Sequence, residues 1–180
     1  MKLLWASLLL MLLSGPVSSP VARPAMAQLL PLGDPEAVSA STGAFEVRKR
    51  LDEYEVGWEL RFAPRRFRLL PSWAPDVIPV AGAMASSRSI LYTYAGFRMD
   101  IPLWERWVVS PGLGTGLYYR GYGKNLGGAL EFRSQIELAY RLPNEARLGL
   151  CLYHLSNAGL LGFNPGSESL VLTYSSRLRK

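Results

Sequence analysis

His154, Ser156 and Glu168 place an imidazole, a hydroxyl and a carboxylate within fifteen positions of one another, and His154 is the only histidine in the chain. A serine hydroxyl is a weak nucleophile until a neighbouring base takes its proton, and a third group commonly holds that base in orientation. If residues 146–156 form a strand, the period of two puts His154 and Ser156 on one face with adjacent side chains. Glu168, entering the next strand across a hairpin, is then in position to orient the ring. The plainer alternative is a lone His and a nearby Ser decorating a strand end. The elements that carry these residues must decide between the two.

Those elements are written in alternation. Between Asp52 and Phe62 the residues Tyr54, Val56, Trp58, Leu60 and Phe62 oppose Glu53, Glu55, Gly57, Glu59 and Arg61. Between Leu130 and Arg141 the residues Leu130, Phe132, Ile136, Leu138 and Tyr140 oppose Glu131, Arg133, Gln135, Glu137 and Arg141. Each is a strand with one greasy and one charged face. Ten-residue strands with Trp and Tyr near their ends suit a tilted membrane crossing, with the charges paired inside a narrow lumen. Eight such segments, at 38–46, 52–63, 76–86, 90–100, 107–117, 130–141, 146–156 and 167–177, predict an all-β fold: an eight-stranded antiparallel transmembrane up-and-down β-barrel. Pro79 and Pro111 each delete a ladder donor, which makes the third and fifth strands the poorer ones.

An even-stranded barrel keeps both ends in the periplasm, so the seventh strand finishes at the external surface. Leu148, Leu150 and Leu152 share their parity with His154 and Ser156; Leu170, Leu172 and Tyr174 share theirs with Glu168. All three polar side chains therefore point at lipid near one rim. Polar groups facing hydrocarbon are costly, and chemistry explains their convergence better than accident does.

The chain start reads as an export signal. Lys2 precedes an apolar run from Leu3 to Leu13, and Ala25-Met26-Ala27 fits a cleavage site before Gln28. Residues 1–27 are thus expected to be a cleaved signal peptide and 28–180 a single outer-membrane barrel domain. Loss of Lys2 and Arg23 lowers the formal net charge from +6 to +4, a mild basic excess compatible with an anionic membrane surface. An exported protein has no nucleic acid to meet. Cys151, the only cysteine, forms no internal disulfide, so sheet closure must hold the fold. Arg48, Lys49 and Arg50 fall in the first external loop, where they either meet phosphates or form a solvated turn. The run Gly112, Gly114 and Gly116 superficially suggests a phosphate loop, but small residues within a crowded barrel account for it better.

With these residues in hand, the chain resembles the PagL family, the outer-membrane lipid A 3-O-deacylases. The match lies in His154-x-Ser156-Asn157-Ala158-Gly159 with Asn164 and Glu168 at family spacing, supported by Asn125-Leu126-Gly127 ahead of Leu130-Glu131-Phe132. The resemblance implies a Ser-His-Glu carboxylic ester hydrolase with Ser156 as nucleophile, His154 as base and Glu168 orienting the imidazole. It further implies Asn164, with the Gly159 backbone amide, as oxyanion donors, and Asn157 either at the same site or simply ending the strand. The substrate would be lipid A or lipopolysaccharide among outer-membrane lipids of a Gram-negative bacterium, with no metal and no cofactor. A homodimer is left open. Two other classes fit parts of the sequence: a non-enzymatic small barrel with an adhesion or structural role, and a soluble lipocalin-like lipid carrier with its charged faces outward.

Overall fold

The computed structural model describes residues 32–48, 52–68 and 70–178; the expected signal peptide and the residues Lys49 and Arg50 lie outside the described residues. Among these residues the strands are β1 (Ala37–Ala44), β2 (Tyr54–Arg61), β3 (Val77–Ser86), β4 (Leu91–Met99), β5 (Ile101–Pro102), β6 (Trp107–Tyr119), β7 (Leu130–Arg141), β8 (Arg147–Ser156) and β9 (Ser167–Arg177). The two-residue β5 pairs with the base of β6. The other eight are antiparallel staves joined in sequence, with β4 paired to β6 and β1 paired to β9. That last pairing closes the sheet into the eight-stranded barrel that the alternation predicts. Each expected strand is present, with its ends within two residues of the expected places.

The two proline-bearing strands are complete. Pro79 sits in β3, and its carbonyl accepts from Phe62 N–H at 3.0 Å. Its missing donor therefore faces the side where β2 has already ended at Arg61. The early end of β2 also corrects one expected face: Phe62 lies beyond the strand and turns inward, where it is buried, instead of joining Tyr54 and Trp58 on the outer wall. The strand containing Pro111, β6, is the longest of all at 13 residues.

The two faces are otherwise as the alternation predicts. Glu53, Glu55, Glu59, Glu131, Arg133 and Glu137 are buried inside, while Tyr54, Trp58, Phe132 and Ile136 are exposed on the outer wall. Leu113, Leu117, Leu138, Leu148, Leu150, Leu152 and Leu172 extend that apolar exterior. A greasy outside around a charged inside inverts the order of a water-soluble protein, so the surrounding solvent is lipid. Exposed Tyr54, Tyr119 and Tyr122 lie at one rim and Trp104, Trp107 and Tyr174 at the other, as interfacial girdles.

Inside, Glu59 and Glu137 are paired with arginines, whereas Glu131 is buried with neither carboxylate oxygen hydrogen-bonded among the described residues. Arg98 Nη1 meets Glu59 Oε1 at 3.0 Å, and its Nη2 donates to Glu137. Arg61 spans the same two carboxylates, at 3.0 Å to Glu59 and 3.1 Å to Glu137. Tyr94 and Thr173 hydroxyls supply further donors, to Glu59 at 3.0 Å and Glu137 at 2.7 Å. Above this layer Arg133 stacks 3.5 Å over the Tyr153 ring, and the Tyr153 hydroxyl donates to Glu55. The space left at the centre is about 30 Å³, room for a water molecule or so. Gly82 shows how full it is, since a Cβ there would lie 2.7 Å from the Tyr94 ring. The glycines of β6 are likewise sites of close approach: a Cβ on Gly116 would meet the Thr93 carbonyl at 1.9 Å. At the rim that carries the end of β8, Phe45, Ile90, Leu126 and Leu155 form a fully buried apolar lid, with Phe45, Ile90 and Leu126 lying outside the strands.

Candidate active site

Register brings the imidazole and the carboxylate together. In the β8–β9 ladder His154 stands opposite Glu168, and His154 Nδ1 lies 3.2 Å from Glu168 Oε1. Both side chains leave the outer wall rather than the lumen, continuing the exposed rows of Leu148, Leu150 and Leu152 on β8 and of Leu170 and Leu172 on β9. They are partly covered, with 41% of the His154 side chain and 23% of the Glu168 side chain accessible. With Nδ1–H donating to the carboxylate, Nε2 carries the lone pair a base needs.

Ser156 lies two residues beyond His154 on the same face and is half-buried. Across β7 it faces Phe132, as His154 faces Ser134. Among the described residues its hydroxyl makes no hydrogen bond, so the hydroxyl and the imidazole share a face without a hydrogen bond between them. Such contacts tighten when substrate arrives. The far side of the ring is covered by backbone: Gly166 has φ +59°, and a Cβ on it would lie 2.6 Å from His154 Cε1 and 3.2 Å from Nε2. Only glycine both takes that backbone conformation at little cost and leaves the imidazole its place.

The loop between β8 and β9 is braced by Asn157, the first residue after β8. Asn157 is 1% exposed. Its Nδ2 donates to the Leu126 carbonyl at 2.8 Å and to the Phe163 carbonyl at 2.9 Å, while its Oδ1 accepts from Gly159 N–H at 3.0 Å. The whole amide group is thus used to clamp two loops to each other. The Asn157 side chain and the Gly159 amide, both expected as candidate oxyanion or positioning groups, are engaged in this clamp. Asn164 differs: its Oδ1 accepts from Asn157 N–H at 3.1 Å, which fixes the side chain, and its exposed Nδ2 has no protein acceptor among the described residues. The neighbouring loop fits against this brace only because Gly127 lacks a side chain, as a Cβ there would meet the Phe163 carbonyl at 1.9 Å.

One residue at the site carries a partner that sequence reasoning missed. Arg48 Nη1 lies 3.0 Å from Glu168 Oε1, the oxygen that also faces His154. Residues 48 and 168 are 120 positions apart, and only the closing β1–β9 pairing makes them neighbours. A barrel with adjacent first and last strands must bring their loops to one rim, and that inference was the signal available for it.

Comparison with known proteins places the chain. Residues 52–177 match the family described as lipid A 3-O-deacylase (PagL). The lipid A deacylase PagL of Bordetella bronchiseptica is 34% identical over 109 residues, which are 56% of this chain and 61% of that protein. The chain thus spans about six tenths of the length of that relative. The crystal structure of the outer membrane enzyme PagL has the same fold, with a TM-score of 0.62 at 21% identity, covering 79% of this chain and 99% of the other. With a family match that takes in seven of the eight barrel strands and all of the His154, Ser156, Asn164 and Glu168 cluster, this chain belongs to the lipid A 3-O-deacylase (PagL) family.

Proposed function

We propose that this protein is a lipid A 3-O-deacylase, hydrolysing the ester-linked 3-hydroxyacyl chain at position 3 of the glucosamine disaccharide by a Ser-His-Glu mechanism. The observation that carries the reading is the 3.2 Å contact between His154 Nδ1 and Glu168 Oε1, two residues from Ser156 on a wall that faces lipid. An ester of a membrane lipid lies near the interfacial depth of its own leaflet, where these residues sit. After export and removal of residues 1–27, the site would lie in the outer leaflet of the outer membrane.

The chemistry runs from that arrangement. Nε2 of His154 takes the Ser156 proton as Oγ attacks the ester carbonyl, and the imidazolium is held by Glu168. Asn164 Nδ2 donates to the developing oxyanion, a contribution typically worth about 3 kcal/mol. As the C–O bond to the sugar breaks, His154 returns the proton to the departing sugar hydroxyl, leaving an acyl-serine. Water, deprotonated by the same imidazole, attacks that ester, and the 3-hydroxy fatty acid departs as Ser156 regains its proton.

The test is mass spectrometry of purified lipid A incubated with the purified barrel in detergent micelles. Loss of one 3-hydroxyacyl group, with the matching free acid, is the expected result; lipid A of unchanged mass would refute the assignment. Within the same assay Glu168→Ala should leave about 10–100 times more activity than changes at Ser156 or His154, because an orienting carboxylate costs less to remove than nucleophile or base. Activity at or above the parent level in that variant would remove Glu168 from the mechanism.

A further inference from the structure

Arg48 is set against the site by more than its own side chain. The segment that presents it has three separate anchors. Val47 N–H donates to the backbone carbonyl of Glu168 at 2.9 Å, Phe45 is wholly buried in the apolar lid, and Glu46 pairs with Lys124 Nζ at 2.5 Å across the neighbouring loop. Glu46 reaches this arrangement at φ +58°, a conformation most residues avoid. The outcome is a guanidinium whose Nη1 lies 3.0 Å from the carboxylate oxygen that also accepts from His154. Arg48 itself is 75% exposed, so the pair is open to water on the cation's side.

We propose that Arg48 is a positioning residue for the deacylation: it pins Glu168 Oε1 where the imidazole needs it and tempers the charge that the imidazole feels. The inference rests on the proposed Ser-His-Glu reading of the site. A glutamate has three side-chain torsions, and a single contact to an imidazole leaves the carboxylate able to swing toward solvent. A second donor on the same oxygen removes that freedom. The charge acts separately. Glu168 alone would stabilise imidazolium before the reaction begins, while the Arg48 cation offsets part of that pull and keeps Nε2 available as a base. Ser134 across β7 and Gly166 over the ring are uncharged, so among the described residues Glu168 on β9 and Arg48 from the β1–β2 loop set the charge around His154.

The competing role for this arginine is direct attraction of a lipid phosphate, and kinetics on the full-length barrel with purified lipid A distinguish the two. Arg48→Ala should lower kcat about fivefold, the scale expected for a largely exposed ion pair, with KM within about twofold of the parent. Arg48→Lys should restore most of the loss. Without the cation the protonated imidazole is more stable, so the acid limb of the kcat/KM profile should move to higher pH by about half a unit. In a Glu168→Ala background the Arg48→Ala change should cost nothing further, since the group through which it acts is gone. A loss confined to KM, a fivefold loss that persists without Glu168, or an unmoved kcat and pH profile would each overturn the proposal. Ser156→Ala run alongside separates this from failure of the triad itself: activity in that variant would sink the nucleophile assignment whatever Arg48 does.

Discussion

Ser156→Ala and His154→Asn should each abolish release of the 3-hydroxy fatty acid from lipid A, with losses on the order of ten-thousandfold or more. The imidazole is the chain's only one, and Ser156 is the hydroxyl that shares its outward face at two-residue spacing on β8. No second histidine stands by to accept the proton. Because base and nucleophile act as one unit, the double variant should be no worse than either single one. Both barrels should still assemble. The two side chains lie on the outer wall and belong neither to the lumen network nor to the apolar lid, so their removal leaves the packing intact. Lipid A masses before and after incubation with each variant give the answer. A folded Ser156→Ala barrel that still removes the acyl group would deprive the mechanism of its nucleophile.

The second large effect is on stability and lies far from the chemistry. Arg98 is 1% exposed and its guanidinium meets Glu59, Glu137 and Asp100. Arg98→Met keeps much of the side-chain length but leaves two buried carboxylates with Arg61 as their shared partner. Breaking a buried pair from one side typically costs about 3–5 kcal/mol, because the other charge stays behind without compensation. The urea midpoint of the barrel in lipid vesicles should fall accordingly. Adding Glu137→Leu removes the surplus charge, leaves Glu59 and Arg61 paired at 3.0 Å, and should regain most of the loss. An Arg98→Met barrel within about 1 kcal/mol of the parent would mean that water reaches the lumen and solvates the carboxylates in place of the arginine.

Much of this architecture was legible because charge and grease alternate so strictly in β2 and β7. Glu55, Glu59, Glu131 and Glu137 are too costly to place in lipid and too regular to be accidental, so their direction fixed that of Trp58 and Ile136. The same parity carried His154, Ser156 and Glu168 to one outer rim. Phe62 escaped the pattern because parity holds only while a strand lasts, and β2 ends one residue earlier. Pro111 was a poor guide because it falls in the gap between the β4 and β5 pairings of β6, where β6 is paired to β7 alone, a place in a sheet that tolerates proline. The clamp made by Asn157 and Gly159 was hidden for a different reason. Their partners include the backbone carbonyls of Leu126 and Phe163, and residue types do not reveal where a loop's carbonyls point. Arg48 was read as a loop charge because closure brings the β1–β2 loop to the rim of Glu168 without saying which of the loop's side chains reaches across.

The crowded interior has a bearing on the cell that hosts such a protein. With Arg61, Arg98 and Arg133 locked onto their partners and room for about one water at the centre, the lumen offers ions no conducting file. A barrel filled in this way should be electrically silent. If the protein acts as the proposed deacylase, a cell could raise its copy number over a wide range without opening its permeability barrier.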